Sequence, residues 1–176
     1  DPLLVRRLAI YLTDKKDYTR ALRMYEKSFE KDDQLVDGVP QDLGAATVYA
    51  ELGRLYFLTQ QYKKSAAAFT AVRRAMEDKS ILDETAQKSI LGEAAITYVL
   101  WGESFLEGGQ TAEAAKAFQK AHLEKPDAPL LAFRLARVAA SENKVDEALQ
   151  RLDAYFAAKT TDSGSEPYDL LGKLLA

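Results

Sequence analysis

The sequence lacks cysteine altogether and contains a single histidine, His122. Without cysteine the chain can form no disulfide, no thiolate nucleophile and no cysteine-ligated zinc site. His122 is accompanied by no second histidine and by no serine or aspartate motif, so we expect no catalytic residue, no metal site and no cofactor. The chain is therefore predicted not to be an enzyme.

Long apolar runs are also missing. No stretch of about 18 apolar residues occurs, and the N-terminus shows no basic-then-apolar signal pattern. We therefore expect no membrane insertion and, by default, a soluble cytoplasmic protein. Because the absence of cysteine fits reducing and oxidising compartments alike, the compartment is left open and an exported parent protein is an alternative.

An excess of positive charge is missing too. The 24 basic and 27 acidic side chains give a net charge of −3, which provides no field to hold a phosphate backbone. The basic pairs Lys63–Lys64 and Arg73–Arg74 are short and separate, as on an ordinary solvated surface. Nucleic acid is therefore not expected as a partner.

What the sequence does contain is a 34-residue pattern, most complete between Ala95 and Ala128. Two antiparallel helices explain it physically, because small residues let their backbones approach while large residues fill the space around the contact. In order, the pattern has an aromatic residue, a large–small pair, a second aromatic, an Ala-x3-Phe step and a late proline: Tyr98, Trp101–Gly102, Phe105, Ala114, Phe118 and Pro126. This order resembles the tetratricopeptide repeat.

The large–small pair recurs along the chain with linkers of different length. Its five occurrences are Leu8–Ala9, Leu52–Gly53, Trp101–Gly102, Leu135–Ala136 and Leu171–Gly172. The third and fourth pairs are 34 positions apart, whereas the first two steps are 44 and 49, one period plus insertions of 10 and 15 residues. In all four complete units the small residue lies 16 positions before the large apolar residue of the second helix. The internal geometry of each unit is therefore expected to be the same.

The resemblance implies an all-α fold, a right-handed α-α superhelix of about four helix pairs plus a final helix. We place the pairs at 2–35, 46–79, 95–128 and 129–162, and the final helix, the first of a fifth unit or a cap, at 165–176. Residues 36–45 are a predicted loop, because Asp37–Gly38 and Pro40 break any helix. Residues 80–94 are predicted to extend the next helix back to about Asp83, to about 25 residues, or to form a separate short helix.

The turns between the paired helices are also predicted. Gly108–Gly109 is expected to end the first helix of the third unit, because glycine adopts the left-handed backbone conformation without steric cost. Asn143 occupies the equivalent place in the fourth unit, and asparagine is the residue that tolerates this conformation best after glycine. We therefore expect the same turn in both units.

The resemblance further implies a function. In proteins similar to this one, the first helix of each unit lines a concave groove that holds a segment of another protein. Exposed apolar groups beside arginines favour a ligand with bulky apolar side chains and at least one carboxylate. The groove residues carried over to this chain are Arg6, Ile10, Arg54, Phe57, Val99, Glu103, Leu106, Leu130, Phe133 and Arg137. The chain is thus expected to be a protein-binding scaffold within a larger protein.

Alternatives to this hypothesis remain. An RNA-binding helical repeat of similar period is disfavoured by the acidic balance, and a spacer or regulatory segment of a multidomain enzyme is a third interpretation. Binding on the insertion at 80–94 instead of in the groove, and the oligomeric state, are left open. Because the chain begins with Asp1 and ends within a repeat, we expect it to be a segment of a longer protein.

Overall fold

The computed structural model describes residues 2–29, 35–126, 128–160 and 163–176. In these ranges the chain forms ten α-helices and two very short strands. The helices are α1 (Pro2–Asp14), α2 (Tyr18–Phe29), α3 (Leu43–Leu58), α4 (Tyr62–Glu77), α5 (Glu84–Leu91), α6 (Ala94–Glu107), α7 (Thr111–Glu124), α8 (Pro129–Ser141), α9 (Val145–Ala157) and α10 (Glu166–Leu175). The predicted all-α fold of successive helices is confirmed.

The chain divides into two compact units, Asp1–Gly92 and Glu93–Ala176. In unit 1, α1 packs along α2 and α3 packs along α4, with α5 against α3. In unit 2, α6 packs along α7 and α8 along α9, and α10 contacts α8 and α9. Each unit thus contains two helix pairs followed by one further helix.

Each pair is built around a small residue on its first helix that faces a large residue on its second. A Cβ atom added to Gly53 would lie 2.6 Å from the Phe69 ring, and one added to Gly102 would lie 2.4 Å from the Phe118 ring. Both rings are buried, so they fill the space that the missing side chains leave. In the other two pairs the small residue is a fully buried alanine: Ala9 and Ala136.

The turn within each pair places one residue in the left-handed backbone region. Gly109 (φ 80°) and Asn143 (φ 57°) do so as predicted, and Lys16 (φ 59°) and Gln60 (φ 60°) occupy the same place in unit 1. In the third turn the Gln110 N–H donates to the Phe105 carbonyl at 2.7 Å and the Gly109 N–H to Leu106 at 3.1 Å. These two hydrogen bonds form a Schellman C-cap, which ends the helix and reverses the chain.

Residues 35–40 form a small hairpin where a plain loop was expected. Strands β1 (Leu35–Val36) and β2 (Val39–Pro40) pair in antiparallel register. The turn residues Asp37 and Gly38 have φ values of 49° and 74°, the positive values that a tight hairpin turn requires. Strands of two residues are too short to show an alternating pattern, which is why the sequence did not reveal them.

The insertion between the second and third pairs forms a separate short helix, α5. It begins after Asp83, whose Oδ1 accepts a hydrogen bond from the Ala86 N–H at 2.8 Å. It ends at Gly92, and α6 begins at Ala94. The expectation that this segment extends the next helix back to Asp83 is therefore wrong, and the alternative of a separate helix is confirmed.

Gly92 is the residue whose backbone ends α5, and its replacement should be costly. It has φ 53° and ψ −113°, a combination that residues with a Cβ atom avoid, although an added Cβ would meet nothing within 4 Å. We expect Gly92→Ala to lower the free energy of unfolding by about 1–2 kcal/mol, entirely through backbone strain. Urea denaturation followed by circular dichroism measures this change.

The matched control is Ser89→Ala, an exposed position on the same helix. Its effect should stay within about 0.5 kcal/mol, as for an ordinary surface substitution. A Gly92→Ala variant as stable as this control would contradict the positive φ at Gly92.

No helix in the described ranges is long and apolar enough to span a lipid bilayer. The predicted unit limits 2–35, 95–128 and 129–162 include residues 30–34, 127 and 161–162, which lie outside the described residues. These limits stay predictions.

Candidate functional site

A network of four charged side chains links α6 and α8 in unit 2. The Arg134 Nε–H donates to Glu103 Oε1 at 2.8 Å, and Arg137 Nη1 donates to Glu103 Oε2 at 2.7 Å. Arg137 Nη2 also donates to Glu107 Oε1 at 2.5 Å. The Glu103 side chain is only 18% exposed, so its two ion pairs are partly shielded from solvent, whereas Glu107 is 40% exposed. Glu103 is thus the acceptor that holds both arginines.

Arg137 was predicted to bind a ligand carboxylate, and the network changes this expectation. Burial by itself would lower the pKa of Arg137, but the carboxylates of Glu103 and Glu107 outweigh burial and raise the pKa above its usual value. Its guanidinium is therefore matched by carboxylates of the chain itself. Arg54 in unit 1 is paired in the same way, with Glu51 Oε2 at 2.7 Å.

Phe133 was predicted to be an exposed groove residue, and this expectation is wrong. Its side chain is 4% exposed and belongs to the cluster that contains Ala136, Leu152 and Tyr155. The Phe133 and Tyr155 rings lie 5.6 Å apart, and the Arg137 guanidinium lies over the Phe133 ring at 6.0 Å. Truncation of Phe133 would therefore affect stability before it affected binding.

An apolar cavity of about 400 Å³ opens beside the charged network, where the starts of α6 and α8 meet the end of α7. Val99 and Leu130, two predicted groove residues, both line it, and Ile96, which is 62% exposed, stands at its edge. The lining residues are Ala95, Ile96, Val99, Ala121, Lys125, Ala128, Pro129, Leu130, Leu131 and Arg134. The cavity is apolar apart from its two cationic side chains.

The two cations of the cavity were not among the predicted site residues. Arg134 follows Leu130 by one helical turn, a spacing from which its place on the same face of α8 could have been inferred. Lys125 follows the last residue of α7, and no sequence pattern marks it. Arg134 is engaged by Glu103, whereas Lys125 forms no ion pair within the part of the chain that the structure describes.

The remaining predicted residues are distributed over both units. Leu106 is half-buried on α6. In unit 1, Ile10 is 52% exposed on α1, Arg6 is half-buried on the same helix, and the Phe57 ring on α3 packs edge-on against Tyr62 with centroids 5.5 Å apart. The structure thus brings together the unit 2 residues Val99 and Leu130 at the cavity, and Glu103 and Arg137 in the network.

Across the described ranges, no three histidine, aspartate or glutamate side chains are arranged so that they could hold a metal ion.

Comparisons with known proteins agree with the helix pairs. The family model of the tetratricopeptide repeat matches residues 105–174. A solved structure described as "MamA RS-1 ArsTM double mutant" is 16% identical, covers 93% of this chain and 78% of its own, and has a TM-score of 0.59. At this identity the likeness concerns the fold alone. YrrB, described as a TPR protein with an unusual peptide-binding site, is 18% identical over 100% of this chain and 93% of its own, with a TM-score of 0.43. No curated protein matches the chain.

Proposed function

We propose that the chain binds a segment of a partner protein and has no catalytic activity of its own, because residues 105–174 match the tetratricopeptide repeat, whose proteins are generally protein-interaction scaffolds. The binding surface is the cavity of unit 2 between α6, α7 and α8. Fold alone does not locate such a site, so the proposal depends on the residues of the cavity.

The observation that carries the proposal is the combination of an apolar cavity with a cation beside it. A volume of about 400 Å³ is large enough for one or two bulky apolar side chains of a bound segment. Ile96 is exposed at the edge although it is large and apolar, so its contact with a ligand would remove apolar surface from water. An apolar anchor of the partner is therefore expected in the cavity.

A carboxylate of the partner is expected at Lys125. Arg137 and Arg134 are paired with Glu103, whereas the exposed Lys125 ammonium is available beside the cavity. A carboxylate placed one or two residues from the apolar anchor would reach it. The proposed ligand thus has the apolar and acidic character that the sequence predicted. Its carboxylate, however, is expected to pair with Lys125 instead of with the predicted arginines.

Selection from a random peptide display library tests the proposal without knowledge of the partner. The wild-type protein should enrich peptides that carry a bulky apolar residue next to an acidic one. Ile96→Asp should weaken binding of the enriched peptides by at least about tenfold, because it places a charge at the apolar edge. Lys125→Glu should select basic residues in place of acidic ones, because the sign of the charge at the cavity is reversed.

The matched control is Leu123→Asp, which introduces the same side chain at a leucine that is 79% exposed on α7 and does not line the cavity. It should leave both affinity and selection unchanged. If Ile96→Asp and Leu123→Asp bind the enriched peptides equally well, the binding surface lies elsewhere and the proposal fails.

A further inference from the structure

Glu103 binds two arginines at once, one with each of its carboxylate oxygens. Its Oε1 accepts a hydrogen bond from Arg134 Nε at 2.8 Å, and its Oε2 accepts one from Arg137 Nη1 at 2.7 Å. Both arginines belong to α8, whereas Glu103 belongs to α6. A carboxylate between guanidinium groups is also how proteins bind the acidic groups of their ligands. Glu103 thus occupies the place that a ligand carboxylate would take.

Arg134 connects this ion pair with the apolar cavity of unit 2. Arg134 and Lys125 are the two cationic side chains that line the cavity. In the described ranges, Glu103 is the only carboxylate that pairs with Arg134. The charge of this cavity residue is therefore compensated by Glu103 alone.

Glu107 lies on the same helix and differs from Glu103 in what it holds. Its Oε1 accepts a hydrogen bond from Arg137 Nη2 at 2.5 Å, and it forms no ion pair with Arg134 within the described part of the chain. Its side chain is 40% exposed, against 18% for Glu103. The two glutamates thus have the same charge and share Arg137, but only Glu103 also holds the arginine that lines the cavity.

The balance of charge limits what the cavity can accept. In the network two guanidinium groups face two carboxylates, so no net positive charge is left there for a ligand. Lys125 is the other cation of the cavity, and it forms no ion pair among the described residues. One ligand carboxylate can therefore be matched at Lys125, whereas a second one near Arg134 would be repelled by Glu103.

We propose that Glu103 determines how many acidic groups the bound segment can carry, an inference that rests on the proposed function of the cavity. With Glu103 in place, the cavity accepts a segment that has one carboxylate beside its apolar anchor and rejects a segment with a second acidic residue. Without the charge of Glu103, Arg134 and Arg137 bind that second carboxylate themselves.

Selection from the random peptide display library measures this specificity. The wild-type protein should enrich peptides with a single acidic residue beside the apolar one. Glu103→Gln keeps the size of the side chain and removes its charge, so this variant should enrich peptides with two acidic residues. Fluorescence anisotropy with the enriched two-acid peptides should show that Glu103→Gln binds them at least about tenfold more tightly than the wild type does.

Glu107→Gln is the matched control, because it removes the same charge from the same network but leaves Arg134 paired with Glu103. It should select the same peptides as the wild type. The double variant Glu103→Gln/Arg134→Gln also removes the released cation of the cavity. It should lose most of the gain in affinity for the two-acid peptides.

Acetate tests the place of Glu103 without any peptide. Glu103→Ala removes a methylene and a carboxylate, which are together the size of acetate, and leaves the two guanidinium groups that bound them. Sodium acetate should raise the melting temperature of this variant by at least about 2 °C over sodium chloride at equal ionic strength. The wild type and Glu107→Ala should show no such difference.

Two results would overturn this proposal: the same peptide selection by Glu103→Gln and Glu107→Gln, or no effect of acetate that is specific to Glu103→Ala. If the wild type enriches single-acid peptides in either case, the proposed function stands and only the role of Glu103 fails. A wild-type protein that enriches no peptides would overturn both.

Discussion

Phe118→Ala is expected to lower the free energy of unfolding of unit 2 by about 3–5 kcal/mol, the cost of removing a buried aromatic ring. Phe118 is fully buried, and its ring fills the space in front of Gly102. A glycine has no side chain that could move into the resulting cavity, so the site relaxes little after truncation. Urea denaturation monitored by circular dichroism measures the loss.

The control for this prediction is Leu123→Ala on the same helix, at a position that is 79% exposed. Its effect should be within about 0.5 kcal/mol, because no buried contact is removed. A loss below about 1 kcal/mol for Phe118→Ala would mean that the ring is not the centre of the α6–α7 contact.

The second large effect is expected for Gly102→Leu, which changes the other residue of the same contact. A Cβ atom at Gly102 would lie 2.4–2.8 Å from three atoms of the Phe118 ring, so a leucine forces the ring or the helix to move. Overpacking of this kind should cost about 2–3 kcal/mol, which outweighs the gain of about 0.5–1 kcal/mol from removing a glycine within a helix. Thermal unfolding of the variant should occur at a lower temperature.

Gly172→Leu is the matched control, since the same substitution is made at the equivalent residue of α10. An added Cβ atom there meets nothing within 4 Å, so the variant should be as stable as the wild type or slightly more stable. Equal destabilisation by both substitutions would show that space around the glycine does not explain the cost. Comparison of the two variants thus separates the effect of packing on stability from the effect of helix propensity.

The helix pairs could be predicted because their signals are local and repeated. The large–small pair and the later large residue keep the same spacing in every complete unit, and the helices α1 to α4 and α6 to α9 follow this spacing. The turn residues Gly109 and Asn143 were predictable since their residue types favour a positive φ. Lys16 and Gln60 adopt the same conformation against their own preference, because the Schellman hydrogen bonds of the turn require it.

The candidate site was less predictable, because the spacing of residues along one helix face does not show what covers each of them. Phe133 is one of the predicted groove residues, yet contact with Tyr155 of α9 buries it. Arg137 is another, but Glu103 and Glu107 reach it from α6. Both outcomes depend on residues about 20 to 34 positions away, and the periodicity of one helix contains no information about them.

The sequence by itself determined that this chain forms helix pairs of the tetratricopeptide kind, because small and large residues at a constant spacing can be buried only when two helices approach closely. Only the tertiary structure decided which apolar residues stay exposed. Tyr98 and Tyr168 have the same place in the pattern, but one is buried under α7 and the other is exposed on α10. The physical reason is that burial depends on the presence of a neighbouring helix, whereas periodicity depends on the helix itself.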